Sequence, residues 1–405
     1  MMLRGGLRSK PDLQNTPTDE REYVVLWLAL RNWRPVTSDM SSSTLKTARY
    51  IRAWITGRAD VIEAEITLNR DGLSVPATLL RPRGAKEPLP AWIVMHGITR
   101  PGRTHAQLIR FTRALAATGA AVIVPDVPEW RHMNVAPGLT GRTIRACIDA
   151  LQSMSDVRAE PYGLVGFSFG APHTIVAMSD PTISEHVGTT IGFGGYCDLE
   201  RTIQFMFTGR HEYGGVSYVQ RPDPYGRWIV GANYLIDVPG YEDAHDVARE
   251  LRALASLAGD TGAVAWDPIY DPAKREARTR IADERWALFD LIAPPADSDP
   301  EPIAGARLAS QLAEAGERVE PTMAVGPALR RVTQPVHIVH GYRDHLIPFT
   351  EGLRLKETLL PNPGSYATVT RLFGHSAQEP FPSPARAARE IPIFLRAMAR
   401  ALGAL

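Results

Sequence analysis

Tyr162-Gly163-Leu164-Val165-Gly166-Phe167-Ser168-Phe169-Gly170-Ala171-Pro172 decides the reading of this chain. An apolar run ends in a serine with a glycine two residues before it and another two residues after it. A helix-like stretch follows. In a strand-turn-helix setting this pattern holds a hydroxyl exposed, where it can attack a carbonyl. Side chains at 166 and 170 would crowd the tight turn and the helix behind it. Pro172 falls in the first helical turn, where a missing N–H leaves no intrahelical bond unmade. Ser168 is the candidate nucleophile, on context rather than on the pentapeptide alone.

Working outward, strand-like and helix-like segments alternate on both sides of this turn. Runs 61–68 and 73–80 are β-like and joined by the hairpin signal Asn69-Arg70-Asp71-Gly72. Strands are expected at 91–95, 121–124, 162–167 and 188–193. Between them come helices at 104–117, with Thr104 and Gln107 as a capping box, at 142–153, and then at 171–179. The alternation resumes near Pro335 with strands at 336–339 and 366–372 around a helix at 350–359. Residues 385–401 read as a closing helix kinked or interrupted at Pro392. Continuous apolar strands alternating with helices predict a mostly parallel sheet covered on both faces.

Residues 198–326 break this rhythm, with helix formers, aromatics such as Tyr225, Trp228 and Trp286, and almost no strand-like run. Inserted between two strands of one sheet, they read as a helical cap over its carboxyl edge, with a proline-rich loop at 293–302. The core is then 61–197 plus 327–405. Residues 1–60 read as an N-terminal helical extension, with Thr16, Pro17 and Asp19 suited to N-cap, first and third helical positions. The apolar run at 23–30 is far too short to span a bilayer.

Composition narrows the classes. A net charge of +1 gives no reason to expect nucleic acid or an anionic membrane as partner. Two cysteines, Cys147 and Cys197, make no disulfide framework and no metal-ligand spacing, which suits a reducing, cytoplasmic setting. Residues 1–10 carry charge but no apolar segment of the secretory kind. No oligomeric partner is legible.

Ligands in open α/β sheets collect at the carboxyl ends of strands. Four features stand at such ends: His96-Gly97-Ile98, Ser168, Asp344 within His340-Gly341-Tyr342-Arg343-Asp344, and His375 within Phe373-Gly374-His375-Ser376. In these motifs, taken in the order Ser, Asp, His, the chain from about Val61 resembles the α/β-hydrolase superfamily, and within it the capped serine esterases. The resemblance implies an α/β-hydrolase fold with a triad of Ser168, Asp344 and His375. It also implies an oxyanion hole of the backbone N–H groups of Ile98 and Phe169. No cofactor and no metal are implied. There is no His-Gly-Gly-Gly loop, the nucleophile position is neither Asp nor Cys, and no propeller-like repeat precedes the sheet.

Other readings of the same residues stand beside these. Asp198, after the strand ending near Phe193, competes with Asp344 as triad acid. Asp344 in turn reads as a turn aspartate ahead of the helix near Pro348. His96 reads as an anchor for the oxyanion turn. Arg100, Arg103 and His105 are ordinary basic surface residues or a grip on a substrate anion. His211, Glu212, His245 and Asp246 match no defined metal site. The expected activity is hydrolysis of a small-molecule carboxylic ester through an acyl-enzyme. Amide, thioester or carbon–carbon cleavage by the same triad, or ligand binding without catalysis, are the rivals.

Overall fold

Along the central strands successive side chains face opposite ways, and both sets are buried, which is why these strands read as unbroken apolar runs. Ile93, Met95, Ile123 and Leu164 belong to one core. Trp92, Val94, Val122 and Val165 belong to the other. The structure is a computed structural model and describes residues 42–85, 88–372, 384–403 and 405. The expected N-cap at Thr16 and the apolar run at 23–30 lie outside the described residues, as does His375.

The chain runs α1 (Ser42–Thr56), β1 (Val61–Arg70), β2 (Leu73–Pro82), β3 (Ala91–Met95), α2 (Ala106–Ala116), β4 (Ala121–Pro125), α3 (Leu139–Gln152), β5 (Tyr162–Phe167), α4 (Gly170–Ala177) and β6 (Val187–Phe193). An insertion follows, with α5 (Leu199–Thr208), β7 (Arg210–Tyr213), β8 (Val216–Val219), α6 (Pro224–Tyr234), α7 (His245–Thr261) and α8 (Pro302–Val319). The sheet then resumes with β9 (Val336–Gly341), α9 (Phe349–Thr358) and β10 (Tyr366–Thr370), and α10 (Pro384–Leu402) closes the chain. Short helical turns lie between these elements.

Eight strands form one sheet in the order β1-β2-β4-β3-β5-β6-β9-β10. The pairs β1–β2 and β2–β4 are antiparallel. The pairs from β4 across to β10 are all parallel. Helices α1, α2 and α10 contribute Tyr50, Phe111 and Met398 to one face, and α3 and α4 contribute Cys147 and Ile175 to the other. Among the described residues no helix is long and apolar enough to cross a membrane.

The β1–β2 hairpin forms as expected. Asp71 and Gly72 have φ of 53° and 85°, the pair of left-handed residues a two-residue turn of this hand needs. Asn69 Oδ1 accepts the Gly72 N–H at 2.8 Å.

Three expectations need correction. The capping box is absent: His105 occupies the N-cap of α2, and the Thr104 hydroxyl donates back to Pro101 O at 2.8 Å. The tight turn at Gly102–Thr104 precedes the helix and uses that hydroxyl itself. The insertion is not purely helical, because β7 and β8 pair as an antiparallel hairpin. Its strands are only four residues each and mostly exposed, too short for an apolar alternation to announce them. And of the two alternatives expected at Pro392, interruption is not met, since α10 continues through it.

The buried residues of the insertion, such as Trp228, Leu251 and Phe289, join the core on one face of the sheet. The buried Arg227 guanidinium donates to Ile292 O at 2.7 Å and Met206 O at 3.1 Å, and burial brings its pKa down to about 10. The Asn233 amide on α6 donates to Met133 O at 2.8 Å and accepts the Val135 N–H at 3.1 Å. These bonds fasten α6 to the loop beyond β4, on the carboxyl side of the sheet.

Gly163 shows how tightly the sheet face is packed. A methyl at residue 163 would lie 2.3 Å from Trp92 Cε3, and Trp92 is buried and large. Overpacking of this kind costs roughly 1–3 kcal/mol. Gly163→Ala is expected to lower the unfolding free energy by that amount, read as a lower denaturant midpoint with an unchanged slope; a midpoint equal to that of the wild type would contradict the packing described.

Candidate active site around Ser168

Ser168 follows β5 with φ of 53°, one of only three non-glycine residues at positive φ among the described residues. Left-handed backbone costs a non-glycine residue about 1–2 kcal/mol, so neighbouring bonds must hold it. They do: the Ser168 N–H donates to Phe193 O at 2.8 Å, and Ser168 O accepts the Ala171 N–H at 2.9 Å. The flanking glycines are demanded by contact. A Cβ at 170 would sit 2.5 Å from His96 O, and one at 166 would sit 2.6 Å from Gly170 O. Both obstacles are backbone atoms that cannot swing aside.

The turn after β3 lies against this elbow. His96 is buried, and its Nε2 accepts the Val127 N–H at 3.0 Å. Nε2 therefore carries a lone pair, so in the neutral ring Nδ1 carries the proton and donates to Gly97 O at 2.7 Å. A trans peptide points its N–H opposite to its C=O. Holding Gly97 O thus fixes the direction of the Ile98 N–H. Among the described residues neither the Ile98 nor the Phe169 N–H has a hydrogen-bond partner. Asp126 Oδ1 is farther from Nε2, at 3.5 Å, and its other oxygen takes Arg131 at 2.9 Å.

Asp344 lies just past β9 and is buried. Its Oδ1 accepts the N–H groups of Leu346 and Ile347 at 2.9 and 3.0 Å. Its Oδ2 is 3.3 Å from His340 Nε2, which also faces Ile347 O at 2.9 Å. A carbonyl only accepts, so that nitrogen carries the proton and presents it to the carboxylate edge as well. Asp344 thus shapes its own turn rather than capping α9, whose N-cap is Pro348. Asp198 is occupied differently. It caps α5 by accepting the Arg201 N–H at 2.8 Å, and its half-exposed side chain pairs with the Arg201 guanidinium at 3.4 Å.

Ser168, Ile98 and Phe169 open onto a cavity of about 90 Å³. Leu346 and Ile347 line it from the Asp344 turn, and α5 and α6 supply Ile203, Met206, Tyr225 and Ile229 from the insertion. The Tyr225 hydroxyl lies 3.4 Å from Ile98 O. Sequence reasoning missed these lining positions, since no periodicity separates an aromatic facing the cavity from one buried elsewhere in the insertion. It also missed His173 on α4, whose Nε2 is 2.9 Å from the hydroxyl of the lining residue Tyr196.

Other sequence candidates have settled partners. Arg100 pairs with Asp260 at 3.2 Å and Arg103 with Glu65 at 2.7 Å, so neither guanidinium is held in reserve for a substrate anion. His211 stacks on Tyr218 with ring centroids 5.1 Å apart, and Asp246 pairs with Arg285 at 2.8 Å. Among the described residues no three His, Cys, Asp or Glu side chains gather as a metal site.

Burial lowers the pKa of His173 to about 3, and burial with repulsion from Arg400 lowers that of His337 to about 4. In the unfolded chain both titrate near 6.5. The unfolded state therefore binds more protons between about pH 6.5 and 4, and stability rises with pH across that window. The melting temperature should fall on acidification from pH 7 to pH 5, and His173→Gln should flatten part of that slope. A melting temperature independent of pH over this range would show that these rings are not buried neutral.

No family model matches the chain, and no curated protein matches it. Solved structures with similar chains include Est1E from Butyrivibrio proteoclasticus with bound ferulic acid, at 13% identity, TM-score 0.43, over 82% of this chain and 99% of that one. Brefeldin A esterase, a bacterial homologue of human hormone sensitive lipase, aligns at 17% identity, TM-score 0.43, over 94% and 93%. An acylaminoacyl peptidase of Pyrococcus horikoshii aligns at 11% identity, TM-score 0.44, over 84% of this chain and 42% of its own. At that distance the chain's own topology carries the assignment. Strand order β1-β2-β4-β3-β5-β6-β9-β10 with β2 antiparallel, and the elbow between β5 and α4, are those of the α/β-hydrolase fold.

Proposed function

We propose that this chain is a serine hydrolase that cleaves a small carboxylic ester through an acyl-enzyme, with Ser168, His375 and Asp344 as its triad. The observation that carries the reading is Ser168 itself, held at φ of 53° at the wall of a cavity it shares with Ile98, Phe169 and the Asp344 turn. In this reading residues 198–326 are a cap over the core formed by 61–197 and 327–405, with 1–60 as an extension. The two cysteines, both unpaired and buried, favour a cytoplasmic setting.

The steps follow from the chemistry of these groups. Ser168 Oγ attacks the ester carbonyl while His375 takes its proton, and the carbonyl oxygen becomes an oxyanion. The N–H groups of Ile98 and Phe169 receive that charge; the first is aimed by His96 through Gly97 O, the second stands at the start of α4. Collapse breaks the bond to the alcohol, which leaves with the proton from His375. Water then repeats the sequence on the acyl-enzyme, freeing the acid and restoring Ser168. Asp344 holds the His375 ring in its tautomer and stabilises the imidazolium. The hydrogen bonds at its Oδ1 favour the charged carboxylate this role needs.

Ser168→Ala is expected to abolish hydrolysis of chromogenic esters and labelling by a fluorophosphonate probe, with the melting temperature retained. Equal labelling of wild type and variant would remove Ser168 from the mechanism. Asp344→Asn should lower kcat by about 10⁴-fold through the wrong imidazole tautomer, whereas Asp198→Asn should leave kcat within a few fold. The reverse pattern would transfer the acid's role to Asp198. Amide and thioester panels run beside the esters decide which acyl bond is cleaved fastest.

A further inference from the structure

The cavity at Ser168 is small, and no charged side chain among the described residues lines it; both properties bear on the substrate. We infer that it takes a short, uncharged, apolar chain of the ester, and that Met206 and Gly226 set the length of that chain. The inference rests on Ser168 being the nucleophile.

Size comes first. A cavity of about 90 Å³ is smaller than the roughly 150 Å³ that accommodates benzene. It suits a propyl or butyl-sized group rather than a fatty chain. Charge comes second. Among the described residues lining the cavity there is no charged side chain; the polar groups are hydroxyls of Ser168, Thr202 and tyrosines. An ionised carboxylate or ammonium placed there would lose its hydration with no counter-charge to replace it.

The boundary on the α5–α6 side is set by one contact. A Cβ at Gly226 would lie 2.8 Å from Met206 Cε and 2.9 Å from Met206 Sδ, so the thioether lies directly against the bare backbone of α6. Both residues line the cavity, and Met206 is buried. Truncating Met206 removes three heavy atoms from the wall and lengthens the space. A methyl at Gly226 displaces the flexible thioether and shortens it.

The test uses the full chain and two substrate series: p-nitrophenyl esters of acetate through octanoate, and alkyl acetates from methyl to octyl. In the series whose variable group enters the cavity, kcat/KM should fall at least tenfold between four and six carbons. The other series should be nearly flat, which identifies whether the acyl or the alcohol side is bound. Met206→Ala should raise the six-carbon to two-carbon ratio at least tenfold, and Gly226→Ala should lower it, with melting temperatures checking that both variants fold. A hemisuccinate ester should be turned over at under a tenth of the rate of the butyrate, or a monoalkyl succinate likewise in the second series.

Both series flat to within threefold, a folded Met206→Ala with the wild-type ratio, or a succinate handled as well as its neutral counterpart would each overturn the inference while leaving an ester hydrolase in place. No turnover of any ester, together with no fluorophosphonate labelling of Ser168, would instead overturn the function on which it stands.

Discussion

The approach of two backbone turns holds the centre of this molecule together. The carbonyl of His96, leaving β3, occupies the space where residue 170 would carry a side chain, and β3 and β5 are parallel neighbours in register from Trp92↔Gly163 to Met95↔Gly166. Because the strands are locked at that register, the turns leave the sheet side by side. Everything that faces Ser168 inherits its position from this proximity. The strained serine, the ring that grips Gly97 O and the helix that starts at Gly170 are consequences of one close contact between main chains.

The insertion is attached to the same edge by a second kind of bond. Asn233 and Arg252 reach Met133 O from α6 and α7, and the Tyr225 hydroxyl approaches Ile98 O. These are side chains of the insertion bound to carbonyl oxygens of the core's loops. Such bonds constrain where α6 lies without asking for particular side chains on the core, while the cavity's walls come from both the sheet's loops and the insertion.

Much of this was legible in the sequence, for a physical reason. Strands buried on both faces cannot hide: 162–167 was marked by its apolar run and its glycines, and β5 spans Tyr162–Phe167. The elbow was legible because only glycine tolerates the contacts at 166 and 170. What escaped had no local signature. The hairpin Arg210–Tyr213 with Val216–Val219 has strands of four residues, too short for a period of two to stand out in the sequence. The cavity lining from Leu346, Ile347 and Tyr225 depends on which segments meet in space. His375 was read from its motif alone, and it lies outside the described residues.

The buried guanidinium of Arg227 has a consequence for how this architecture diversifies. Its partners are the peptide oxygens of Met206 and Ile292, not side chains. A frame pinned through peptide oxygens is indifferent to which side chains those positions carry. Residues along the inner surfaces of two helices are then at liberty to drift while the scaffold around them stays put. A change of side chain at either position thus leaves the donor bond in place, and the chamber's lining can be altered without removing this anchor.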